Sequence, residues 1–305
     1  MSCSSAGSGR GTYVMDNVVF LERPELSSPY LVLAFGGWPD AAEVATRGIN
    51  HLVRQLKAKH FAEINAEEFF NFTQSRPMMA AEDGAVNQIR FPTIEAFFWK
   101  ATTGDHDLIL VRGVEPELKW KTFADTLTRF AQELGVSRMF TLGGLYDNLP
   151  HTRKPKVSGL VNALGLKKLL APNGVRPVAY RGPAAIHTVL LATCARAKIE
   201  MISLWGHPPF YMRPEANPRV CMALVETLSR FVGITVDLQD LKLASEQTDH
   251  ALDHLVADNP LLRSQVKEME DIYDSEARGR DRPLESTDAV IRDVEDFLRN
   301  EGSRD

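Results

Sequence analysis

The pattern that best indicates the fold of this chain lies in residues 30–57, YLVLAFGGWPDAAEVATRGINHLVRQLK. Its first residues form an apolar run that ends in a Gly-Gly turn, which is typical of a buried strand. After the turn, Asp40 matches a helix N-cap and Glu43 matches its capping-box partner. The stretch therefore predicts a strand followed by an amphipathic helix. The apolar residues of that helix form one stripe: Val44, Ile49, Leu52, Val53 and Leu56.

Further apolar runs of the same form also predict buried strands. Each leads into a Gly-rich or Pro-rich turn, and helical patterns follow most of them. Strands that alternate with crossover helices build a largely parallel sheet covered on both faces. The sequence therefore predicts an α/β fold. The runs are DLILVRG from Asp107, RMFTLGG from Arg138, PVAYRG from Pro177 and EMISLWG from Glu200.

Residues 117–134 predict a second amphipathic helix, which Gly135 is placed to end. Burying the five large side chains of its apolar face stabilises the fold by roughly 10 kcal/mol. This stripe is therefore expected to be core rather than a ligand-binding face. Its members are Trp120, Phe123, Leu127, Phe130 and Leu134.

Two parts of the chain depart from the alternating pattern. Residues 61–100 contain two β-rich segments on either side of a polar stretch with Pro77 and Gly84, which predicts an antiparallel insertion or edge hairpin. From Leu241 the pattern becomes helical, with helices over roughly 241–257 and 260–273.

The predicted domain organisation follows from these patterns. A disordered tail over 1–12 precedes an α/β core domain over 13–240, and a helical extension of the core covers 241–275. Residues 276–305 form a charged linker and a terminal amphipathic helix. The apolar residues of that last helix are Val290, Ile291, Val294, Phe297 and Leu298.

Composition excludes several classes of protein. The 305 residues are 44% hydrophobic and 25% charged, which is typical of a folded protein and not of a disordered one. The formal net charge of -5 gives no long-range attraction to nucleic acid or to acidic membranes. Residues 1–12 hold no apolar segment that could act as a signal peptide, and no run of about 18 apolar residues occurs. With only three cysteines, the chain is expected in the reducing cytoplasm.

The loops that leave the predicted strands should meet along one rim, because ligands of parallel sheets bind beyond the carboxyl ends of the strands. Arginine, histidine, asparagine and aromatic residues on a stiff Gly/Pro framework suit an anion or peptide site. The candidate rim residues are Trp38, Asp40, Arg112, Asn148, His151, Arg153, Arg181, His207 and Tyr211.

Each candidate has a structural alternative. His151, Arg153 and Lys154 could bind phosphate or carboxylate, or be solvated or ion-paired within the fold. His207 and Tyr211 could act as acid and base, or be rigid packing elements held by the neighbouring prolines. Asp40 could be only a helix cap.

No resident metal, cofactor or catalytic residue is predicted. His250 and His254 share a helix face, but HALDH lacks the glutamate of the zinc-protease signature and no third ligand is evident. The sequence has no GxSxG elbow, no Walker loop and no CxxC pair. The stretch GSGRGT lies in the tail and follows no strand.

Several motifs in one order resemble the proteasome assembly chaperone 2 family in its bacterial form. The similarity runs from about Tyr13 to Tyr273, and STDAVIRDVEDFLR is similar to the terminal helix of actinobacterial members. In two places the chain differs from the family pattern: it reads HTRKP rather than HTRP, and Phe210 replaces a histidine. The motifs are GWPDAAEVATRG (37–48), TLGGLYDNLPHTRKPKV (141–157), YRGPAAIHTVLLA (180–192) and SLWGHPPFYMRPEANPRVCMALVETL (203–228).

The resemblance implies a three-layer α/β/α core of the phosphorylase/hydrolase-like type. It also implies a homo-oligomer, for which the similar fold suggests a trimer. Characterised members from eukaryotes and archaea help to assemble proteasome α-rings, and some do so through a C-terminal tail of a hydrophobic residue, tyrosine and any residue. This chain ends in EGSRD, so docking by that tail is not expected.

Two functional hypotheses follow. The first is a cytoplasmic, non-enzymatic, self-associating protein that binds or assembles other proteins, proteasome-related ones among them, and neither nucleic acid nor membrane. The alternative is an enzyme or binding protein for a nucleoside-type or phosphate-type ligand, which would use the strand-end rim.

Overall fold

A computed structural model describes residues 13–15, 17–65, 67–102, 104, 106–212 and 216–280. Within them the strands, in chain order, are β1 (Tyr13–Met15), β2 (Val18–Phe20), β3 (Tyr30–Gly36), β4 (Lys59–Ile64), β5 (Met78–Glu82), β6 (Ala85–Arg90), β7 (Ile94–Trp99), β8 (Leu108–Val114), β9 (Arg138–Gly144), β10 (Val157–Val161), β11 (Arg176–Pro177) and β12 (Glu200–Gly206).

The α-helices of the described chain are α1 (Val44–Gln55), α2 (Trp120–Glu133), α3 (Ile186–Arg196), α4 (Pro218–Val232), α5 (Gln239–Asp258) and α6 (Pro260–Arg280). Short 3-10 turns cover Ala41–Glu43, Leu164–Leu169, Ala171–Asn173 and Phe210–Met212.

The main sheet has the order β1-β2-β4-β7-β8-β3-β9-β12-β10-β11, and β5 pairs only with β6. Its centre, β8-β3-β9-β12, is parallel and in register, with Gly206 opposite Gly144 at one end. Antiparallel strands extend the sheet on both sides. The predicted α/β fold is confirmed, and four of the five predicted strands form this parallel centre.

Helices cover both faces of the sheet and create two cores. Helices α2 and α3 pack on one face around Phe35, Phe123 and Phe130. Helices α1 and α4 pack on the other around Phe140 and neighbouring aliphatic side chains. Every central strand is buried on both faces, which explains why these strands are continuous apolar runs in the sequence.

The predicted stripe of α2 is core. Phe123, Leu127 and Phe130 are fully buried, and Trp120 packs against the same cluster. The helix ends as expected, because Gly135 adopts a positive φ of 67° that an L side chain would adopt only with strain.

The predicted strand PVAYRG is wrong for most of its length. Only Arg176 and Pro177 pair, as the short edge strand β11 beside β10. The strand that occupies this side of the sheet is β10, whose partner in the sheet centre is β12. Pro177 has no N–H to donate to a ladder, which suits it to a short edge strand, and the next residue, Val178, donates its backbone N–H to the Gly159 carbonyl at 3.2 Å.

The predicted antiparallel insertion is confirmed. Strands β4 and β7 pair with each other in the main sheet, and β5 and β6 form a separate hairpin between them. The polar stretch holds this hairpin, whose Asp83-Gly84 turn has positive φ at both residues, as in a type I′ turn.

The two C-terminal helices are also confirmed, as α5 and α6, and α6 continues to Arg280. The predicted tail over 1–12 and the stripe of the predicted terminal helix, from Val290 to Leu298, lie outside the described residues.

Candidate functional site

The sequence predicted a helix cap at Asp40 and a capping-box partner at Glu43, and the structure contains the first but not the second. Asp40 accepts a hydrogen bond from the backbone N–H of Ala45 at 2.7 Å, bonds to the N–H of Thr46 at 3.3 Å, and also pairs with the Thr46 hydroxyl. Glu43 does not complete a capping box, because its side chain pairs with Arg47 on the surface. A 3-10 turn separates Asp40 from α1, so Asp40 reaches the helix from further back than the pattern predicted. Burial raises the pKa of the Asp40 carboxyl.

Three polar side chains meet beyond the ends of β9 and β12. His207 follows the last residue of β12, and Asp147 lies in the loop after β9. The Nδ1 atom of His207 is 3.0 Å from Oδ2 of Asp147, and Nε2 is 2.6 Å from Oγ of Ser158 on β10. The parallel register brings the two loops together, since Gly144 and Gly206 end their strands side by side.

Asp147 is held as a carboxylate. Its Oδ2 atom accepts hydrogen bonds from His207 and, at 2.9 Å, from Nζ of Lys156. These donors, His207 first, hold the pKa of the Asp147 carboxyl well below its usual range. A carboxylate has no proton to give, so Nδ1 of His207 carries the hydrogen, and in the neutral imidazole Nε2 accepts from the Ser158 hydroxyl.

His151 and Tyr211 form a second polar cluster. The Tyr211 hydroxyl accepts the backbone N–H of His151 at 2.7 Å and lies 2.7 Å from its Nδ1. The other ring nitrogen, Nε2, is 3.2 Å from Oδ1 of Asp253 on α5. Burial raises the pKa of the Tyr211 hydroxyl to about 12. Tyr211 is thus bonded to His151, and not to His207 as an acid–base pair in one loop would require.

Two arginines near this end of the sheet are paired with acidic side chains of the C-terminal helices. Arg153 binds Asp274 of α6 through two bonds of 2.9 and 2.8 Å and also contacts Glu270. Arg219 binds Asp249 of α5 at 2.7 Å. The bonds from Asp274, then the charge of Glu270, hold the pKa of Arg153 above its usual value. Helices α5 and α6 therefore cover the basic loops with complementary charge.

An apolar pocket of about 80 Å³ lies beside the Ser158–His207 pair. Trp38 and Tyr180, which are 57% and 56% exposed, stand at its mouth. Its walls are Leu145, Leu160, Val178, Pro183, Ala185, Thr188 and Trp205.

Three predicted rim residues lie apart from these clusters. Arg112 binds Glu95 at 2.8 Å and Asn50 at 2.7 Å, beside the Phe97 ring, toward the antiparallel side of the sheet. Arg181 is exposed in the loop before α3. Asn148 is exposed next to Asp147, to which its backbone N–H donates.

The candidate residues therefore gather in two neighbouring places and not in one. Trp38 and His207 line the same pocket, and His207 and His151 line a smaller adjoining cleft. Asp147 and Ser158 were missed. Asp147 lies in the quoted loop after β9 and could have been chosen from its place there, whereas Ser158 carried no signal, because β10 was not predicted.

The described residues hold no group of three or more His, Cys, Asp or Glu side chains arranged to bind a metal ion. Nor is any helix in that part of the chain both long and apolar enough to cross a bilayer.

The family follows from a comparison of the whole chain. A model of the PAC2 family matches residues 34–256, from the end of β3 into α5. The chain belongs to the PAC2 family. The resemblance to proteasome assembly chaperone 2 proteins is thereby confirmed. No match was found among proteins of curated function.

Several solved structures share the fold. The chain is 32% identical to a PAC2 family protein from Streptomyces avermitilis, with a TM-score of 0.70, over 74% of this chain and 95% of that one. It is 28% identical to a proteasome-assembly chaperone homologue from Mycobacterium tuberculosis, with a TM-score of 0.72, over 78% of this chain and 99% of that one. PbaB, an archaeal proteasome activator from Pyrococcus furiosus, is 20% identical with a TM-score of 0.64, over 78% of this chain and 97% of that one. At that identity the likeness concerns the fold alone.

Proposed function

We propose that this PAC2 protein is a chaperone-like protein of the cytoplasm that acts by binding protein, first of all a second copy of itself. The observation that carries this proposal is the β5–β6 hairpin, which is exposed along its whole length. A two-stranded hairpin alone is marginally stable in water. An exposed apolar face on such a hairpin favours association, because a partner that covers it stabilises both.

One face of the hairpin is apolar. Met79 pairs directly with Ile89, and beyond the register shift between Ala80 and Ala81 the partner of Ala81 is Val86, so these four side chains share one face. Met79 is 61% exposed, and Val86 and Ile89 are each 57% exposed. Met78 and Glu82 point to the opposite face, next to their partners Arg90 and Ala85. We call the first face, made by Met79, Ala81, Val86 and Ile89, the hairpin strip.

The hairpin strip suits a second copy of the same chain. It contains no charged side chain, so copies of the chain that meet on it bury apolar surface without like-charge repulsion. Glu82 and Arg90, on the opposite face, stay in solvent in that arrangement.

The relatives support an assembly role. The similar Mycobacterium tuberculosis protein is described as a proteasome-assembly chaperone homologue. Besides a second copy of the chain, the proposed partners are therefore other protein subunits, proteasome-related ones among them. Family membership and the exposed hairpin strip support this proposal.

The phosphate or nucleoside alternative has less support. The arginines it would use are engaged: Arg153 with Asp274 and Glu270, and Arg112 with Glu95. A phosphate at Arg153 would have to displace two carboxylates, which costs the charge-assisted bonds already made.

Light scattering on the full chain tests the proposal with a matched pair of variants. The Met79→Asp change places a charge on the hairpin strip, so we expect the molar mass to fall to that of a monomer. Met78→Asp introduces the same change on the same strand but on the other face, so the oligomer should persist. A wild-type protein that is monomeric across the micromolar range, or an equal loss in both variants, would contradict the proposal.

A further inference from the structure

The Ser158–His207–Asp147 cluster carries an inference that is independent of the hairpin strip. We infer that Ser158 is an activated nucleophile, with His207 as its general base and Asp147 as the positioning residue. The substrate class is an ester whose acyl group is small and apolar. Nucleophile, base and orienting acid are recognised by geometry and not by sequence order, so the absence of a GxSxG elbow does not exclude this arrangement.

The hydrogen-bond distances within the cluster allow a proton to pass from Ser158 to His207. The serine oxygen is 2.6 Å from Nε2 of His207, and Nδ1 is 3.0 Å from the Asp147 carboxylate. Both lie within the hydrogen-bond range that a nucleophile, base and orienting group require. The carboxylate fixes the imidazole tautomer, so Nε2 faces the serine as an acceptor.

The pocket places a substrate next to this path. Ser158 and His207 are 2% and 6% exposed, and both line the apolar pocket. Strand alternation turns Ser158 toward that pocket, while Val157 and Gly159 point toward the opposite core. With a volume of about 80 Å³ and aliphatic and aromatic walls, the pocket fits an acetyl-sized or similarly short group.

Hydrolysis of the ester by this cluster needs no cofactor. The Ser158 oxygen bonds to the ester carbonyl carbon while its proton passes to Nε2 of His207. The carbon–oxygen bond to the leaving alcohol then breaks, and His207 returns the proton to that alcohol. Water, deprotonated by His207, next attacks the acyl-serine carbonyl, and the carboxylic acid leaves as the proton returns to Ser158.

The experiment uses p-nitrophenyl acetate with the full-length wild-type protein. Nitrophenolate release is followed by absorbance, and acid-quenched protein is digested with trypsin and analysed by mass spectrometry. The peptide VSGLVNALGLK, residues 157–167, contains Ser158 as its one hydroxyl side chain. An acetyl group is expected on Ser158.

Matched variants separate activation from folding. His207→Gln should slow acetylation of Ser158 by at least about 100-fold. His51→Gln should leave it unchanged, because His51 is a buried histidine of α1 bonded to the Asp237 carbonyl, away from the pocket. Asp147→Asn should slow it by about 100-fold or more, and Asp147→Glu should restore part of the rate.

Ser158→Ala, which removes a single oxygen, should lower nitrophenolate release to the uncatalysed rate while thermal unfolding shows an intact fold. It keeps the proposal testable if the histidine variant fails to fold. Nitrophenolate release by folded wild-type protein that does not exceed the rate of Ser158→Ala, or equal rates in wild type and Asp147→Asn, would overturn the proposal and leave the cluster as a structural hydrogen-bond network.

Discussion

At the scale of single residues, Asp40 shows how a sequence pattern can predict a role and miss its geometry. Its pattern predicted a cap with Glu43 as the capping-box partner, and the cap alone is present. Local spacing could not reveal the 3-10 turn between Asp40 and α1, because this turn depends on positive φ angles at Ala42 and Glu43.

Asp40→Ala should lower the free energy of unfolding by about 1–2 kcal/mol, because two helix N–H groups lose their acceptor. Glu43→Ala removes only a surface pair with Arg47, which is worth about 0.3–0.5 kcal/mol. Urea denaturation of both variants measures the difference. Equal losses would mean that Asp40 is not the cap.

The buried side chain of His187 should make the free energy of unfolding depend on pH. Its ring is fully buried between Phe35 and Trp205, and neither ring nitrogen has a hydrogen-bond partner within the described residues. Burial lowers its pKa from 6.5 to about 3. The unfolded chain therefore binds a proton between these pH values that the folded chain does not, so this contribution to stability is complete above pH 6.5 and is lost as the pH falls toward 3.

The expected slope from His187 is about 1.4 kcal/mol per pH unit within that window. His187→Leu removes the group and should flatten the pH dependence of the unfolding free energy by that amount. Chemical denaturation at a series of pH values measures it. Parallel curves for wild type and variant would contradict the assignment.

At the scale of elements, the buried central strands and the amphipathic helix α2 were predictable from the sequence, and strand β10 was not. Strands β3, β8, β9 and β12 are apolar runs because helices cover both of their faces, and α2 keeps its stripe for the same reason. Strand β10, which lies between β12 and the edge strand β11, is short, and Ser158 and Gly159 interrupt its apolar pattern. Its position depends on pairing with β12, which is a long-range contact that no local pattern carries.

Ion pairs between Arg153 and two acidic residues of helix α6 should help to hold this helix on the core. Arg153→Ala should weaken the attachment of α6, because Asp274 and Glu270 lose their shared partner. Amide hydrogen exchange of α6 should then become faster, and added salt should have less effect than in wild type. Lys267→Ala, which removes an exposed pair within α6, is the control and should leave exchange unchanged. Equal exchange in wild type and Arg153→Ala would show that apolar contacts alone hold the helix.

At the scale of the whole molecule, the order of motifs predicted more than any single motif. The α/β class and the family were both predictable, because buried strands, their turns and several family motifs occur in one order along the chain. The candidate rim was predictable only in outline: the convergence of Trp38, His151 and His207 near one end of the sheet follows from parallel topology. The acidic partners on α5 and α6 could not be predicted, since they depend on how two helices fold back over the core.

Self-association through the hairpin strip can be measured by amide hydrogen exchange of the β5–β6 hairpin, Met78–Arg90, across a dilution series of the wild-type protein. If the hairpin strip is the surface of self-association, its amides should be protected at high concentration and exchange faster as the oligomer dissociates, while the core strands stay protected throughout. Hairpin exchange that is fast and independent of concentration, in a protein that scatters light as an oligomer, would contradict the account.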